Sequence, residues 1–237
     1  MAFASGKNTK VFFNEFNFTP YFDNVSVPMN VDTAETSTFG NDSKKFVAGL
    51  KDATLSAEGF FDGDADAVDE ELSAALAVAD KFWSVYQNGD AAGSFGYAMK
   101  AIETAPSVVS TIDNACRVSV AAQSDGTAAE RVVSLHAHGA QADSNWTGST
   151  INNGTASAAG GSAYLHVAAA TGTIEVSIRH SSDNFVADDT ELVAFTNVTG
   201  PAAERKTFSG TVKQYVRGVA TIAGGETITF QLGLYRA

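Results

Sequence analysis

The stretches YFDNVSVPMNVDT (residues 21–33) and KDATLSAEGFFD (residues 51–62) decide the fold class. In the first, Val25, Val27, Met29 and Val31 fall on one face and Asn24, Ser26, Asn30 and Asp32 on the other. That period of two predicts a half-buried strand. Pro28 lies on the polar face and marks an edge or a bulge, because proline has no N–H to give a ladder. In the second, Ala53, Leu55, Ala57 and Phe61 alternate with Asp52, Thr54, Ser56 and Glu58. Both strands thus have one dry face and one wet, partly acidic face. Residues 33–44 between them read as a polar loop with an exposed aromatic, Phe39.

Working outward, the chain from residue 93 reads as further strands, at 94–102, 114–123, 129–138, 162–170, 173–180, 192–198, 206–219 and 227–236. In the last, Ile228, Phe230, Leu232 and Leu234 share a face. Ser124-Asp125-Gly126 and Ala223-Gly224-Gly225 supply turns. Many short strands with turn signals predict a sandwich or barrel. Residues 66–88 carry Val68, Leu72, Ala75, Leu76, Ala79, Phe82, Trp83 and Tyr86 at helical spacing. Asp66 is the expected N-cap, and Asp69, Glu70 and Glu71 suit the positive end of the dipole. Residues 1–20 hold Phe3, Phe12, Phe13, Phe16 and Phe18. They read as an arm or edge strand that docks on something, or as a segment packed on its own domain. Residues 139–161, rich in Gly, Ser, Asn, Thr and Ala, read as a long loop. The expectation is a mainly β chain, sandwich or barrel, with one α-helix near residues 66–88. An N-terminal arm (1–20) precedes a single β-rich domain (21–237), or a second sandwich begins near residue 113.

The formal net charge of −12 argues against a module that grips nucleic acid, since phosphate binding needs clustered Lys and Arg. At 44% hydrophobic, the 237 residues can fill a real core. The apolar runs are too short for a membrane span, and no basic segment followed by an apolar one opens the chain. A single cysteine, Cys116, allows no intrachain disulfide and fits reduced, intracellular synthesis. Its surroundings look apolar, which predicts a buried thiol.

No constellation carries catalysis. Asp62-Gly63-Asp64-Ala65-Asp66 starts like a calcium loop, but Ala67 stands where glycine is needed and Ser73 where glutamate is needed. A helix-capping acidic turn fits better. His136 and His138 flank Ala137 on a predicted strand, so both rings fall on one face, but a metal needs a third ligand. His166 and His180 sit on other strands. No nucleophile elbow, dinucleotide fingerprint or phosphate loop occurs. Trp146 and Tyr164 could form a sugar platform or pack beneath the loop. No catalytic residue, metal or cofactor is assigned.

Taken whole, Tyr21 to Gly63 resembles the major tail (tail tube) proteins of long-tailed bacteriophages. The resemblance rests on Thr38-Phe39-Gly40, the step Gly49-Leu50-Lys51 and the ending Glu58-Gly59-Phe60-Phe61. It extends to Tyr164–Val167, Ile178–Asn184 and Gln214–Arg217, and spans about residues 20–237. It implies a tail-tube-like fold with no enzymatic activity. Homohexameric rings would join their sheets into an inner β-barrel and stack into a tube through which DNA passes without specific binding. Asn24, Ser26, Asp52 and Glu58 would face the lumen; Phe12, Phe13 and Phe39 would contact the next ring. Partners would be further copies and the tape measure, terminator and distal tail proteins, in a virion made in the bacterial cytoplasm. The rival readings are a capsid decoration or carbohydrate-binding sandwich, and a hydrolase or metal protein using His136, His138 and a carboxylate.

Overall fold

The computed structural model describes residues 5–237, and Phe3 lies outside them. In chain order come β1 (Lys10–Phe13), β2 (Phe16–Asn17), β3 (Phe22–Ser26), β4 (Met29–Glu35) and β5 (Phe46–Phe60). The helix α1 (Val68–Ala75) follows, then β6 (Lys81–Tyr86), β7 (Phe95–Glu103), β8 (Ser107–Val109), β9 (Arg117–Ser124) and β10 (Glu130–Ala142). The rest are β11 (Trp146–Thr147), β12 (Ile151–Asn152), β13 (Gly161–Thr171), β14 (Glu175–Ser181), β15 (Thr190–Ala194), β16 (Ala202–Phe208), β17 (Tyr215–Thr221) and β18 (Thr227–Arg236). The fold is mainly β with one α-helix. The chain divides into two compact units. Unit 1 comprises the described part of Met1–Pro20 with Phe82–Ala98 and Arg131–Ala237; unit 2 comprises Tyr21–Lys81 and Met99–Glu130.

Unit 1 is a sandwich. One sheet runs β16-β13-β18-β10-β7-β6-β1-β2, and the other β11-β17-β14-β15 with β12 also on β17. Leu135, Leu165, Phe230 and Leu232 from the first share a core with Val176, Ile178, Val216 and Ala220 from the second. Facing sheets bury alternate side chains between them, each large one worth roughly 1.5–3 kcal/mol. A second cluster joins Phe12, Tyr86, Ala98, Val132 and Tyr164.

Phe12, Phe13, Phe16 and Phe18 do not form a projecting arm. β1 pairs with β6, setting Phe13 opposite Trp83, and their rings lie 4.6 Å apart. Phe12, Phe13 and Phe18 are each about 1% exposed. Burying three phenylalanines outweighs the loss of chain freedom in this short segment.

The expected helix over 66–88 is two elements. α1 stops at Ala75, and the chain turns through left-handed residues at Ala77 (φ 61°) and Asp80 (φ 63°) before β6 begins. Trp83, Ser84, Val85 and Tyr86 are buried in succession, on both faces of the strand. A strand apolar on both sides can imitate a helical stripe. The N-cap is Ala67, not Asp66, and it makes no side-chain cap; Asp69, Glu70 and Glu71 do fill the first turn.

The segment 139–161 is stitched to unit 1: β10 runs on to Ala142, and β11 and β12 both pair with β17. Gly148 and Gly218 flank Trp146, where an added Cβ would meet the indole at 2.7 and 2.9 Å. The stretch 206–219 holds parts of two strands, β16 and β17, with Gly210 at φ 95° between them.

In unit 2, β5 carries β3 and β4 on one side and β9 on the other, and β9 then carries β8 and the end of β7. Ala53, Leu55 and Ala57 are buried, as are Val118, Val120 and Ala122 on β9 and Val68, Leu72 and Ala75 on α1. The expected strand 21–33 breaks at Val27-Pro28, where Thr54 N donates to Pro28 O at 3.1 Å. Phe61 falls past the end of β5 and is partly exposed. The expected loop 33–44 starts as strand: residues 33–35 pair with residues 46–48.

Candidate functional site

Unit 2 presents two surfaces. The first is the wet face of β3, β5 and β9. Asn24 stands opposite Glu58 and Ser26 opposite Ser56; across β5, Glu58 pairs with Ser119 and Thr54 with Gln123. On β4, Asn30 stands opposite Asp52. Cross-strand partners share a face, so Asn24, Ser26, Asp52 and Glu58 lie together as the alternation predicts. Asn24, Ser26 and Glu58 are exposed and Asp52 half-buried. Asp52 Oδ1 accepts from Gln123 Nε2 and, at 3.0 Å, from Ser124 Oγ. Arg117 donates to Asp23 at 2.8 Å and holds its carboxyl below the usual range.

The second surface is the hairpin of β4 and the first part of β5. Every residue of β4 and residues 46–51 of β5 are exposed, on both faces. Met29 and Val31 are about half exposed, Leu50 is 80% exposed and Phe39 at the tip is fully exposed. Thr36 N donates to Lys45 O, and the tip is tied by Asn41 Oδ1 accepting from Thr38. Among the described residues β3 and β4 pair only with β5, and β8 only with β9. Phe39, expected to contact another ring, is open to solvent. Phe12 and Phe13, expected to do the same, are sealed in the core of unit 1.

Three of the four histidines pack against aromatic rings. His136 stacks on Phe230 at 4.1 Å and meets Trp146 edge-on at 4.5 Å. His138 lies 5.5 Å from Phe12. The β10 ladder slips between His136 and Gly139, so the two rings part instead of sharing a face. His166 is buried on the far side of the Phe12 contact, its Nε2 2.7 Å from Ser84 Oγ and its Nδ1 2.5 Å from Asn14 O. Burial pushes His166 down to about 4 and also lowers His136, His138 and His180. Among the described residues the one cluster with metal-ligand spacing is Asp66, Glu70 and Glu71, the first two exposed and Glu71 half-buried.

Tyr164 is buried, with its hydroxyl accepting from Arg205 Nε at 2.9 Å, and Trp146 is packed under its loop, so neither offers a sugar platform. Cys116 is exposed, 3.2 Å from Ser110 Oγ, because it falls just before β9 begins. Two features lay outside the sequence reading. Glu103 is buried with neither carboxylate oxygen partnered, and burial raises it to about 8 against the pull of Lys81. The turn after β14 is knotted around Asp183, which accepts from Ser181 Oγ and the amides of Val186, Ala187 and Asp188, leaving Val186 84% exposed.

No family model matches the chain, and no curated protein matches it. Solved structures do. The structural neighbours are tail, hub and cap proteins of phage-like particles. A chain from the tail of an empty gene transfer agent particle, refined with C6 symmetry, is 14% identical, with a TM-score of 0.44 over 53% of this chain and 96% of that one. The SPP1 Dit protein, a hub of the adsorption apparatus in phages of Gram-positive bacteria, is 11% identical, with a TM-score of 0.38 over 94% and 98%. The tube-terminating cap of the anti-feeding prophage is 13% identical, with a TM-score of 0.41 over 53% and 89%. These are loose likenesses of fold.

Proposed function

We propose that the chain is a structural subunit of a phage-type tail, whose copies join into rings, six to a ring, that stack into a tube for DNA. One observation carries this: the β4–β5 hairpin is exposed on both faces and studded with apolar side chains. A lone two-stranded hairpin is marginal in water, and apolar surface with unpaired edges favours association. Neighbouring copies would cover it, with Phe39 reaching the adjacent ring.

The wet face supplies the other half of the reading. Asn24, Ser26, Asp52, Thr54, Ser56 and Glu58 present hydroxyls, amides and carboxylates, a lining that repels phosphate and lets DNA slide. Tape measure, terminator and distal tail proteins would meet the tube's lumen and ends in the assembled virion, after synthesis in the host cytoplasm.

Electron microscopy of the purified chain tests this. Rings or open-ended tubes are expected at high concentration; monomers alone, across protein concentrations and salt, would overturn it.

A further inference from the structure

Unit 1 contains a cleft of about 450 Å3 lined in part by Phe95, Arg131, Ile151, Asn152, Asn153 and Arg236. Its charged groups are two arginines, Arg131 and Arg236. The Arg131 guanidinium lies 3.8 Å over the ring of Phe95, a cation–π contact that limits its freedom. Arg236 donates to the main-chain oxygens of Asn153, at 3.0 Å, and Thr155, which fixes its fork. Asn153 Nδ2 is buried without a partner. The side-chain oxygen of Asn152 is occupied, accepting from Gly154 N at 2.8 Å and Gln214 Nε2 at 3.1 Å. No Asp or Glu lines the cleft, and neither arginine has an ion pair among the described residues. On a chain of net charge −12 the Arg131 guanidinium, with Arg236 beside it, makes this a site for a carboxylate, the partner that an arginine fork binds best.

Unit 2 holds a matching surface. Asp62, Asp64, Asp66, Asp69 and Glu70 crowd into nine residues. Asp64, Asp66 and Glu70 are exposed and form no salt bridge among the described residues. Ligand atoms of Asp66 and Glu70 lie within 4.8 Å of each other, a like-charge crowding that an outside cation relieves.

We propose that the cleft of one copy receives the acidic segment 62–70 of a second copy. This rests on the reading of the chain as a self-assembling subunit and adds the charged contact to its apolar hairpin.

The test uses the full chain and a synthetic peptide of residues 60–72. Calorimetry should show the peptide binding at low salt, weakened about tenfold or more by Arg131→Glu and by about 0.5 M salt. Arg131→Lys, which keeps the charge but loses the fork, should fall between. Arg131 is exposed, so a thermal melt matching the parent shows that the variants fold. Absence of peptide binding, or binding indifferent to Arg131, overturns the inference. Inorganic phosphate binding where the peptide does not also overturns it, making the cleft a small-anion site. Assembly that needs the hairpin but is unchanged by Arg131→Glu sinks the cleft and leaves the tube standing. Peptide binding that depends on Arg131, in a chain that never assembles, sinks the tube and leaves the cleft.

Discussion

Met29 and Ala53 are cross-strand partners on the β4–β5 ladder, yet Ala53 is fully buried while Met29 keeps 49% of its surface. The core of unit 2 ends between them. Beyond that line the strands continue without cover, so substitutions there should act on association and not on folding. Leu50→Ser with Phe39→Ser should leave the melting temperature nearly unchanged, since exposed sites move stability by about 0.5 kcal/mol or less. Sedimentation should show the double variant as a monomer where the parent assembles.

Gly59→Ala should do the reverse. An added Cβ would sit 1.9 Å from the carbonyl oxygen of Tyr21, which accepts from Phe60 N at 2.8 Å. β3 must leave β5 to make room, at a cost of several kcal/mol. Hydrogen exchange should show protection lost across Phe22–Ser26.

His166 should make the fold acid-sensitive. Its folded value of about 4 lies below the ordinary 6.5, so the unfolded chain takes up the proton first as pH falls. The stabilisation is whole above pH 6.5 and lost as pH falls through about 4, by ~3 kcal/mol at the limit. His166→Gln should flatten that part of the stability-against-pH curve, measured by denaturant melts, while lowering stability at neutral pH.

Glu103 has the opposite sign. Its folded value of about 8 lies above the ordinary 4.5, so its contribution is whole below pH 4.5 and lost as pH rises through about 8. Glu103→Gln should remove a loss of a few kcal/mol that builds up between about pH 4.5 and 8. Melts at pH 6 and pH 9 give the comparison: equal losses in parent and variant would disprove the assignment.

If the wet face lines a lumen, Asp52→Lys with Glu58→Lys should turn it into a phosphate-binding wall. Assembled particles of that variant should retain nucleic acid at low salt and release it as salt rises. The parent should retain none at either salt.

The sequence was most legible where one face alone is buried. Ile228, Phe230, Leu232 and Leu234 alternate against a single core, and β18 matches the expected strand 227–236 at both ends. The same alternation put Asn24, Ser26, Asp52 and Glu58 on one face. It failed for β6, where Trp83 and Tyr86 are buried on opposite sides and the run mimics a helix. The 33–44 loop hid the end of β4 because residues exposed on both faces obey no period. Phe12 and Phe13 could not be placed because their partners on β6 lie some seventy residues away. The cleft was invisible for the same reason: Phe95, Arg131, Asn153 and Arg236 meet only through the ladder of unit 1.

The two open borders of the unit 2 sheet differ in length. One is formed by β3 and the seven-residue β4, the other by the three-residue β8. Copies that set β4 of one against β8 of the next would meet head to tail. A polymer built that way is directional. Its growing end and its finished end present different surfaces, and a cap that fits one would not seat on the other.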